Sequence, residues 1–495
     1  MWRFALRTSS SLFRWGCLVV SFLAAFVALW QDSTAQTSHP TWAQPYPLIE
    51  NCCNAFPIVV PDSWGQVHVF WSGTDRGDPQ ELNRGFIFYT RYADGRWTRP
   101  VEILASDNLR RPRNLAAAVD KEGNLHLVWT DGDVGDLLYS RASVFATPSA
   151  RSWLPPQKLA NEIYAADIVA DNQGTLHLVY SQFGPAGIFY SNSTDQGQTW
   201  RAPCSVFAKL REDETGGAVR VAVDSFGKIH IVWELVGYPT GSPGLTIGYS
   251  YSTDSGKTWA MPFEPYPRQD KTRLVRGAGG PSLALSPSGE VHLTWFKGAE
   301  TREHQISRDG GITWTEPENA FPESLIGRLG GPIDMAFDSE GTLHIVTVVG
   351  TLGVWYRSWR QELGWSKPIL LDDRPLDWHH ARIAVSQGNQ LWVVYADILD
   401  TGRIWVTTTR VEAPLVPPSP RPVLTNVPIT DPTPLPPTPV PLLTRSTSRK
   451  PTSIDPRLEK PSEEPLFPLL LGASCALAVI VFAILVYQIY HRQLK

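Results

Sequence analysis

Apolar runs rich in aliphatic and aromatic residues recur between residues 41 and 411, each bounded by turn residues. The most regular unit has an aliphatic run, a turn of the form Asp-x-x-Gly, and a second run that carries a histidine and ends in an aromatic residue. Asp120–Trp129 and Asp224–Trp233 are two copies. A glycine in such a turn supplies the positive φ that a tight hairpin needs. The pattern predicts an all-β protein built from hairpins.

The unit occurs seven times, and we call each copy a repeat. The histidine position is held by His68, His126, His177, His230, His292, His344 and Trp392. Neighbouring copies are separated by 48 to 62 residues, and each leaves room for a third strand and for a fourth strand after a Trp and a Pro. Four short strands per repeat of ~50 residues are typical of β-propellers. We therefore predict a seven-bladed propeller over residues 36–412.

The seventh repeat runs into a proline-rich segment without a fourth strand. The missing Trp-Pro phrase appears instead at Thr41–Leu48. We expect this segment to close the ring as the outer strand of the last blade, which removes an open sheet edge.

The repeated histidines predict a shared hydrogen bond or shared packing rather than a metal site. They occur once per repeat, on separate sheets, and none belongs to a cluster with zinc or calcium spacing. No metal and no cofactor is predicted.

The N-terminal residues 1–35 resemble a signal peptide. Arg3, Arg7 and Arg14 precede an uncharged apolar stretch, Trp15–Trp30, and small residues permit cleavage after Ala35. A retained N-terminal anchor is the alternative interpretation.

The C-terminal part predicts a single membrane span with a cytoplasmic tail. Residues 413–465 are rich in Pro, Thr and Ser and are predicted to form a disordered stalk, partly polyproline II. Residues 466–490 carry no charge and are long enough to cross a bilayer, and residues 491–495 are basic. A buried core helix is the alternative. This order places the propeller on the extracytoplasmic side of the cell membrane.

Composition narrows the classes of partner. The formal net charge is −4 and no basic run occurs in the body of the chain, which argues against nucleic acid. Only Cys52, Cys53 and Cys204 lie in the predicted propeller, too few for a disulfide framework. Two pairings are open, Cys52 with Cys53 and one of these two with Cys204, and the sequence favours neither. We expect a monomer.

Three repeats contain a sharper motif, Ser-x-Asp-x-Gly-x-Thr-Trp, between the third and fourth strands. Its central residues are Asp195, Gly197 and Trp200, then Asp254, Gly256 and Trp259, then Asp309, Gly311 and Trp314. The chain here resembles the Asp-box (BNR repeat) propellers, which include the sialidases. The resemblance covers residues 41–411 and implies that these residues are structural. Because sialidases have six blades, a six-bladed ring is the alternative.

Candidate ligand residues come from segments that lead into the first strand of each repeat, because these converge on the central channel. Charges there are not part of the repeat. The predicted ligand-binding residues are Arg113, Arg276, Arg328, Trp378, His379 and His380. Several arginines can grip a carboxylate, and aromatic rings can stack on sugars. Catalytic candidates, by analogy with the sialidase tyrosine and acid, are Tyr164, Glu212, Asp213 and Glu214.

Three functions are compatible with these features. The first is a ligand-binding module for a glycan or a cell-envelope protein. The second is a retaining exo-glycosidase of sialidase type. The third is a structural platform in an envelope complex.

Overall fold

The computed structural model describes residues 40–49, 56–74, 85–106, 111–146, 148–183, 186–208, 212–237, 244–265, 278–297, 301–322, 325, 331–374, 376, 381–397 and 402–421. All of these belong to one compact unit that ends at Pro422. The predicted signal peptide, most of the predicted stalk, the membrane span and the tail lie outside the described residues. Within the described ranges, no helix combines the length and apolar character needed to cross a bilayer.

The described residues form 28 strands in six antiparallel sheets. The first sheet contains β2 (Ile58–Pro61), β3 (Val67–Thr74), β4 (Gly85–Ala93), β5 (Arg96–Trp97) and β6 (Val101–Ala105). The second contains β7 (Pro112–Val119), β8 (Asn124–Asp131), β9 (Gly135–Ser143), β10 (Gln157–Ala170), β11 (Leu176–Gln182), β12 (Gly187–Ser193) and β13 (Cys204–Ala208). The third contains β14 (Glu214–Val223), β15 (Ile229–Gly237) and β16 (Gly244–Ser252).

The other three sheets follow the same plan. The fourth contains β17 (Ala278–Leu285), β18 (Val291–Lys297), β19 (Thr301–Ser307) and β20 (Glu318–Asn319). The fifth contains β21 (Asp334–Phe337), β22 (Leu343–Val348), β23 (Val354–Arg360), β24 (Gly364–Trp365) and β25 (Ile369–Asp372). The sixth contains β26 (Arg382–Ser386), β27 (Gln390–Asp397), β28 (Arg403–Arg410) and β1 (Tyr46–Ile49). Two 3-10 turns, Ala150–Ser152 and Gly350–Leu352, connect strands.

The sheets are arranged as a closed ring, because the innermost strand of each repeat adjoins that of the next and β2 adjoins β26. Apolar side chains fill the spaces between them, and Trp71, Trp233 and Trp295 are fully buried there. The prediction of an all-β propeller is confirmed. The blade count of seven stays a prediction.

The N-terminal segment closes the ring as predicted. β1 pairs with β28, with Tyr46 opposite Val406. The contact extends upstream, where the Thr409 hydroxyl donates to the carbonyl of Thr41 over 2.8 Å. The last strand therefore has no open edge along this segment.

Four of the repeated histidines lie in a hydrogen-bonded chain between a tyrosine hydroxyl and a turn carboxylate. In one copy, His126 Nδ1 lies 2.8 Å from the Tyr139 hydroxyl, and its Nε2 lies 3.1 Å from the turn carboxylate of Asp120. The same arrangement recurs around His68, His177 and His344. This is the repeated hydrogen bond that the sequence indicated, and it ties the first hairpin to the third strand.

The Asp boxes are tight turns that reach the neighbouring repeat. In the first box, Thr199 N–H and the Thr199 hydroxyl both donate to Asp195. These hydrogen bonds lower the pKa of Asp195 to about 2. Gly197 lies directly against Tyr139 of the preceding repeat, and Trp200 packs edge-on against the same ring at 5.3 Å.

Candidate ligand site at the channel mouth

The two ends of the channel differ chemically. Every first strand of a repeat begins at one end, which we call the mouth, and finishes at the Asp-x-x-Gly turns, which we call the turn end. Arg113 and Tyr164 occupy matching positions at the mouth, each seven residues before its turn Asp. The loops at the mouth are outside the repeat pattern and therefore carry the variable chemistry.

A basic depression of about 410 Å³ opens at the mouth. Its lining consists of Arg111, Arg113, Gly132, Asp133 and Val134. Nε of Arg113 lies 3.4 Å from Oδ1 of Asp133, whose side chain is 87% exposed. An ion pair this open to water contributes little stability, so Arg113 can exchange Asp133 for an anionic ligand at small cost. The Arg113 guanidinium also lies 5.7 Å from the centre of the Phe56 ring.

A β-bulge joins this depression to the next repeat. β7 shifts register between Arg113 and Ala116, and Asn114 within the bulge has a φ of +49°. The Asn114 amide donates to the backbone carbonyl of Tyr164 and to the Thr130 hydroxyl. Bulges of this kind re-aim side chains and are frequent beside binding sites.

Tyr164 is half-buried at the mouth, with its ring stacked on Phe183 at 5.6 Å. Burial, and then the negative charges of Glu234 and Asp133, raise the pKa of the phenol. Tyr164 therefore stays protonated at neutral pH and is a hydrogen-bond donor rather than a phenolate. Glu234 was not among the predicted residues. It directly follows the aromatic residue that ends the second strand of the fourth repeat.

The three consecutive acidic candidates have different environments. Glu212 is exposed, Asp213 is half-buried and Glu214 is fully buried at the start of β14. Glu214 belongs to β14, whereas Glu212 and Asp213 lie in the turn before it, so the three acids do not share one environment. The predicted Arg276, Arg328, Trp378, His379 and His380 lie outside the described residues, and their convergence stays a prediction.

Four charged residues that the sequence interpretation missed line the channel below the mouth. Asp167, Arg220, Asp334 and Arg382 all lie four residues before the turn position of their repeats. The other repeats carry Ile58, Ala116 and Ser282 there. Their shared position in the repeat is the sequence signal that could have identified them, because equivalent residues of the inner strands lie at the same depth in the channel of a propeller.

The two aspartates tie adjacent inner strands together. Oδ2 of Asp167 accepts the Val221 N–H at 3.0 Å, and Oδ2 of Asp334 accepts the Ile383 N–H at 2.9 Å. Burial raises the pKa of Asp167 despite the nearby positive charge of Arg220.

Cys204 is a free, half-buried thiol that donates to the carbonyl of Gly256 at 3.2 Å, and so it is not a disulfide partner of Cys52 or Cys53. Cys52 and Cys53 themselves lie outside the described residues.

Comparison with known proteins identifies the repeat and the fold. Residues 305–316, which contain the third Asp box, match the BNR/Asp-box repeat model. The sequence-based resemblance to Asp-box propellers is thereby confirmed. No curated protein matches the chain significantly in a sequence search.

Solved structures resemble this chain at low sequence identity. An ulvan lyase, a polysaccharide lyase solved with a -[GlcA(1-4)Rha3S]- ligand, is 13% identical, with a TM-score of 0.50 over 75% of this chain and 96% of that one. The intramolecular trans-sialidase from Ruminococcus gnavus is 12% identical, with a TM-score of 0.41 over 74% of this chain and 96% of that one. A protein of unknown function from Dyadobacter fermentans is 17% identical, with a TM-score of 0.46 over 75% of this chain and 99% of that one.

Proposed function

We propose that this protein is a membrane-anchored, extracytoplasmic propeller that binds an acidic glycan at the channel mouth. The observation that carries the proposal is the basic depression around Arg113, whose own counterion, Asp133, is open to solvent. Tyr164 and Phe183 add a protonated donor and an aromatic surface, the combination that sugar sites use. The ulvan lyase, which has the same fold, is described with a bound saccharide, and this supports a glycan as ligand.

The chain after β28 stays in contact with the propeller as far as Arg421. Residues 413–421 run along the turn end, where Val416 N–H donates to Gln387 and Ser419 N–H donates to Ser63. Arg421 reaches Asp94 at 3.2 Å. The proposal also includes cleavage of residues 1–35, a membrane span over residues 466–490 and a monomeric state.

We further propose that the ring has seven blades. β10 is 14 residues long and pairs with β9 through its first half and with β11 through its second, so the seven-stranded sheet holds two repeats. In the third sheet, Phe263 bridges Tyr249 at the position of a fourth strand. Each repeat also places one tryptophan edge-on against an aromatic ring of the repeat before it. The seven pairs are Trp97–Trp392, Trp153–Tyr89, Trp200–Tyr139, Trp259–Tyr190, Trp314–Tyr249, Trp365–His304 and Trp42–Tyr356.

A glycan array probed with the full-length protein in detergent tests the binding role. We expect binding to oligosaccharides that carry carboxylate or sulfate groups, and about 10- to 100-fold weaker binding after Arg113→Gln, since one charge-assisted hydrogen bond is lost. Arg96→Gln, at an exposed position of β5, is the matched control and should bind normally. Absence of any glycan ligand, or equal binding by the Arg113 variant, would reject the proposal and favour a protein partner or a structural platform.

A sialidase-type exo-glycosidase is the second candidate, favoured by one observation. Tyr164 lies close enough to Glu234 for that carboxylate to raise its pKa, and a carboxylate beside a tyrosine can accept the phenolic proton during nucleophilic attack. Hydrolysis of a fluorogenic sialoside should then occur and be abolished by Tyr164→Phe. Tyr92→Phe, in β4, is the control. No turnover on a broad panel of glycosides would exclude this activity while leaving the binding role open.

A further inference from the structure

The channel interior contains an arrangement of charges that the proposed glycan site at the mouth does not use. Asp167, Arg220, Asp334 and Arg382 occupy one level of the inner strands, four residues before the turn position. The mouth residues lie seven residues before it. Three residues of strand at ~3.3 Å each separate the two levels by about 10 Å. The charged level is therefore a distinct, deeper place in the channel.

The hydrogen-bonding needs of three of these side chains are partly met within the protein. Each aspartate accepts a backbone N–H from the adjacent inner strand. Arg382 has a carboxylate partner, because its Nη1 lies 3.2 Å from Oδ1 of Asp334. Both members of that pair are about one-fifth exposed, as expected for side chains that line a channel.

Arg220 has a different environment. Its one hydrogen bond to a described residue runs from Nη1 to the carbonyl of Val219, the residue before it, at 2.8 Å. Among the described residues, no carboxylate lies within ion-pair distance of its guanidinium. A guanidinium has five N–H donors in a planar fork, so most of the donors of Arg220 remain available to the channel.

The charge of Arg382 also acts on Arg220. Burial, and then the positive charge of Arg382, lower the pKa of Arg220, and Arg382 has a larger effect than Asp167 or Asp334 taken singly. The two guanidiniums belong to the fourth and seventh repeats and lie at the same level of the inner strands. A small anion between two arginines relieves such repulsion and satisfies their free donors.

We propose that Arg220 and Arg382 form an oxyanion-binding site in the channel, for a carboxylate, sulfate or phosphate group. The anion accepts hydrogen bonds from both guanidiniums, while Asp167 and Asp334 hold the inner strands in place. The same chemistry suits a free inorganic anion or the acidic group of a ligand that enters through the mouth. The site stands independently of the proposed function, because Arg113 takes no part in it.

Calorimetric titration of sulfate into the full-length protein in detergent, at constant ionic strength in sodium chloride, tests the site. We expect saturable binding that becomes about tenfold weaker or more in Arg220→Gln and in Arg382→Gln. Arg96→Gln, at an exposed position of β5, should bind sulfate like the unmodified protein. Arg220→Lys, which keeps the charge, provides a second variant if the glutamine variant does not fold, and it should bind more weakly than arginine because it lacks the fork.

Competition distinguishes the sources of the anion. If an acidic oligosaccharide displaces sulfate and Arg113→Gln abolishes that displacement, the ligand entering the mouth supplies the oxyanion. If sulfate stays bound, the site takes a free inorganic anion, and either result supports the proposal. No sulfate binding to the unmodified protein, or undiminished binding in the Arg220 and Arg382 variants, would overturn it. Anomalous diffraction from crystals with selenate locates the anion directly and rejects the site if selenium lies elsewhere.

Discussion

Replacement of Gly256 by alanine tests whether an Asp box joins neighbouring repeats. Gly256 has a φ of +78°, and a Cβ built on it would lie 2.1 Å from Cε1 of Tyr190 in the preceding repeat. Carbon atoms make favourable contact at ~3.5–4 Å, so either Tyr190 moves or the box opens. Gly95 is the matched control. Its φ is +80°, and no atom lies within 4 Å of the corresponding Cβ position.

The expected magnitudes follow from these two environments. A left-handed backbone costs an alanine ~1–2 kcal/mol, and this cost applies at both positions. Overpacking adds ~1–3 kcal/mol, and it applies at Gly256 alone. We therefore expect the free energy of unfolding to fall by ~1–2 kcal/mol in Gly95→Ala and by ~2–5 kcal/mol in Gly256→Ala. Movement of Tyr190 would also disturb its edge-on contact with Trp259 and its hydrogen bond to His177.

Equilibrium unfolding in guanidinium chloride, followed by tryptophan fluorescence, measures both variants against the unmodified protein. The slope of the unfolding free energy against denaturant concentration should be the same in all three proteins. Differences between their unfolding curves then report stability alone. Equal losses of unfolding free energy in the two variants would refute the reasoning. The Asp-box glycine would then be needed only for its own turn and not for packing against the preceding repeat.

Three further predictions concern the histidines and the ring closure. Burial lowers the pKa of His344 and lowers that of His230 to about 4, so the unfolded chain binds protons first as the pH falls below ~6.5. The free energy of unfolding should therefore decrease by ~1.4 kcal/mol per pH unit per histidine between pH 6.5 and 5, as measured by urea unfolding. His126→Phe should cost ~2 kcal/mol in the same assay, because buried Asp120 loses one of its hydrogen bonds and the Tyr139 hydroxyl loses its bond to the histidine. Thr409→Val should remove a hydrogen bond to the N-terminal segment, cost ~1 kcal/mol, and speed proteolysis ahead of β1.

Each of these has a clear contrary result. Stability that does not change between pH 7 and 5 would mean that the histidines have ordinary pKa values in the folded protein. An unaltered free energy of unfolding in His126→Phe would mean that Asp120 finds compensation elsewhere. An unchanged cleavage rate in Thr409→Val would mean that strand pairing alone secures the N-terminal segment.

The sequence by itself determined the local elements and their order. Asp-x-x-Gly turns and β-rich runs act over a few residues, so the strands and the repeat could be predicted from them. The match between Thr41–Leu48 and the missing fourth strand even predicted the partner of β1, because repetition makes a distant pairing visible in the sequence.

Tertiary structure decided which side chains meet. Gly256 packs on Tyr190 of the previous repeat only because adjacent sheets twist into contact. The spacing of residues within one Asp box does not predict that contact. Asp167 and Arg382 lie 215 residues apart and come under each other's influence only because the ring closes. Burial at the start of β14, in contrast, gives Glu212, Asp213 and Glu214 three different exposures. Closure of the ring thus decides which charges share the channel.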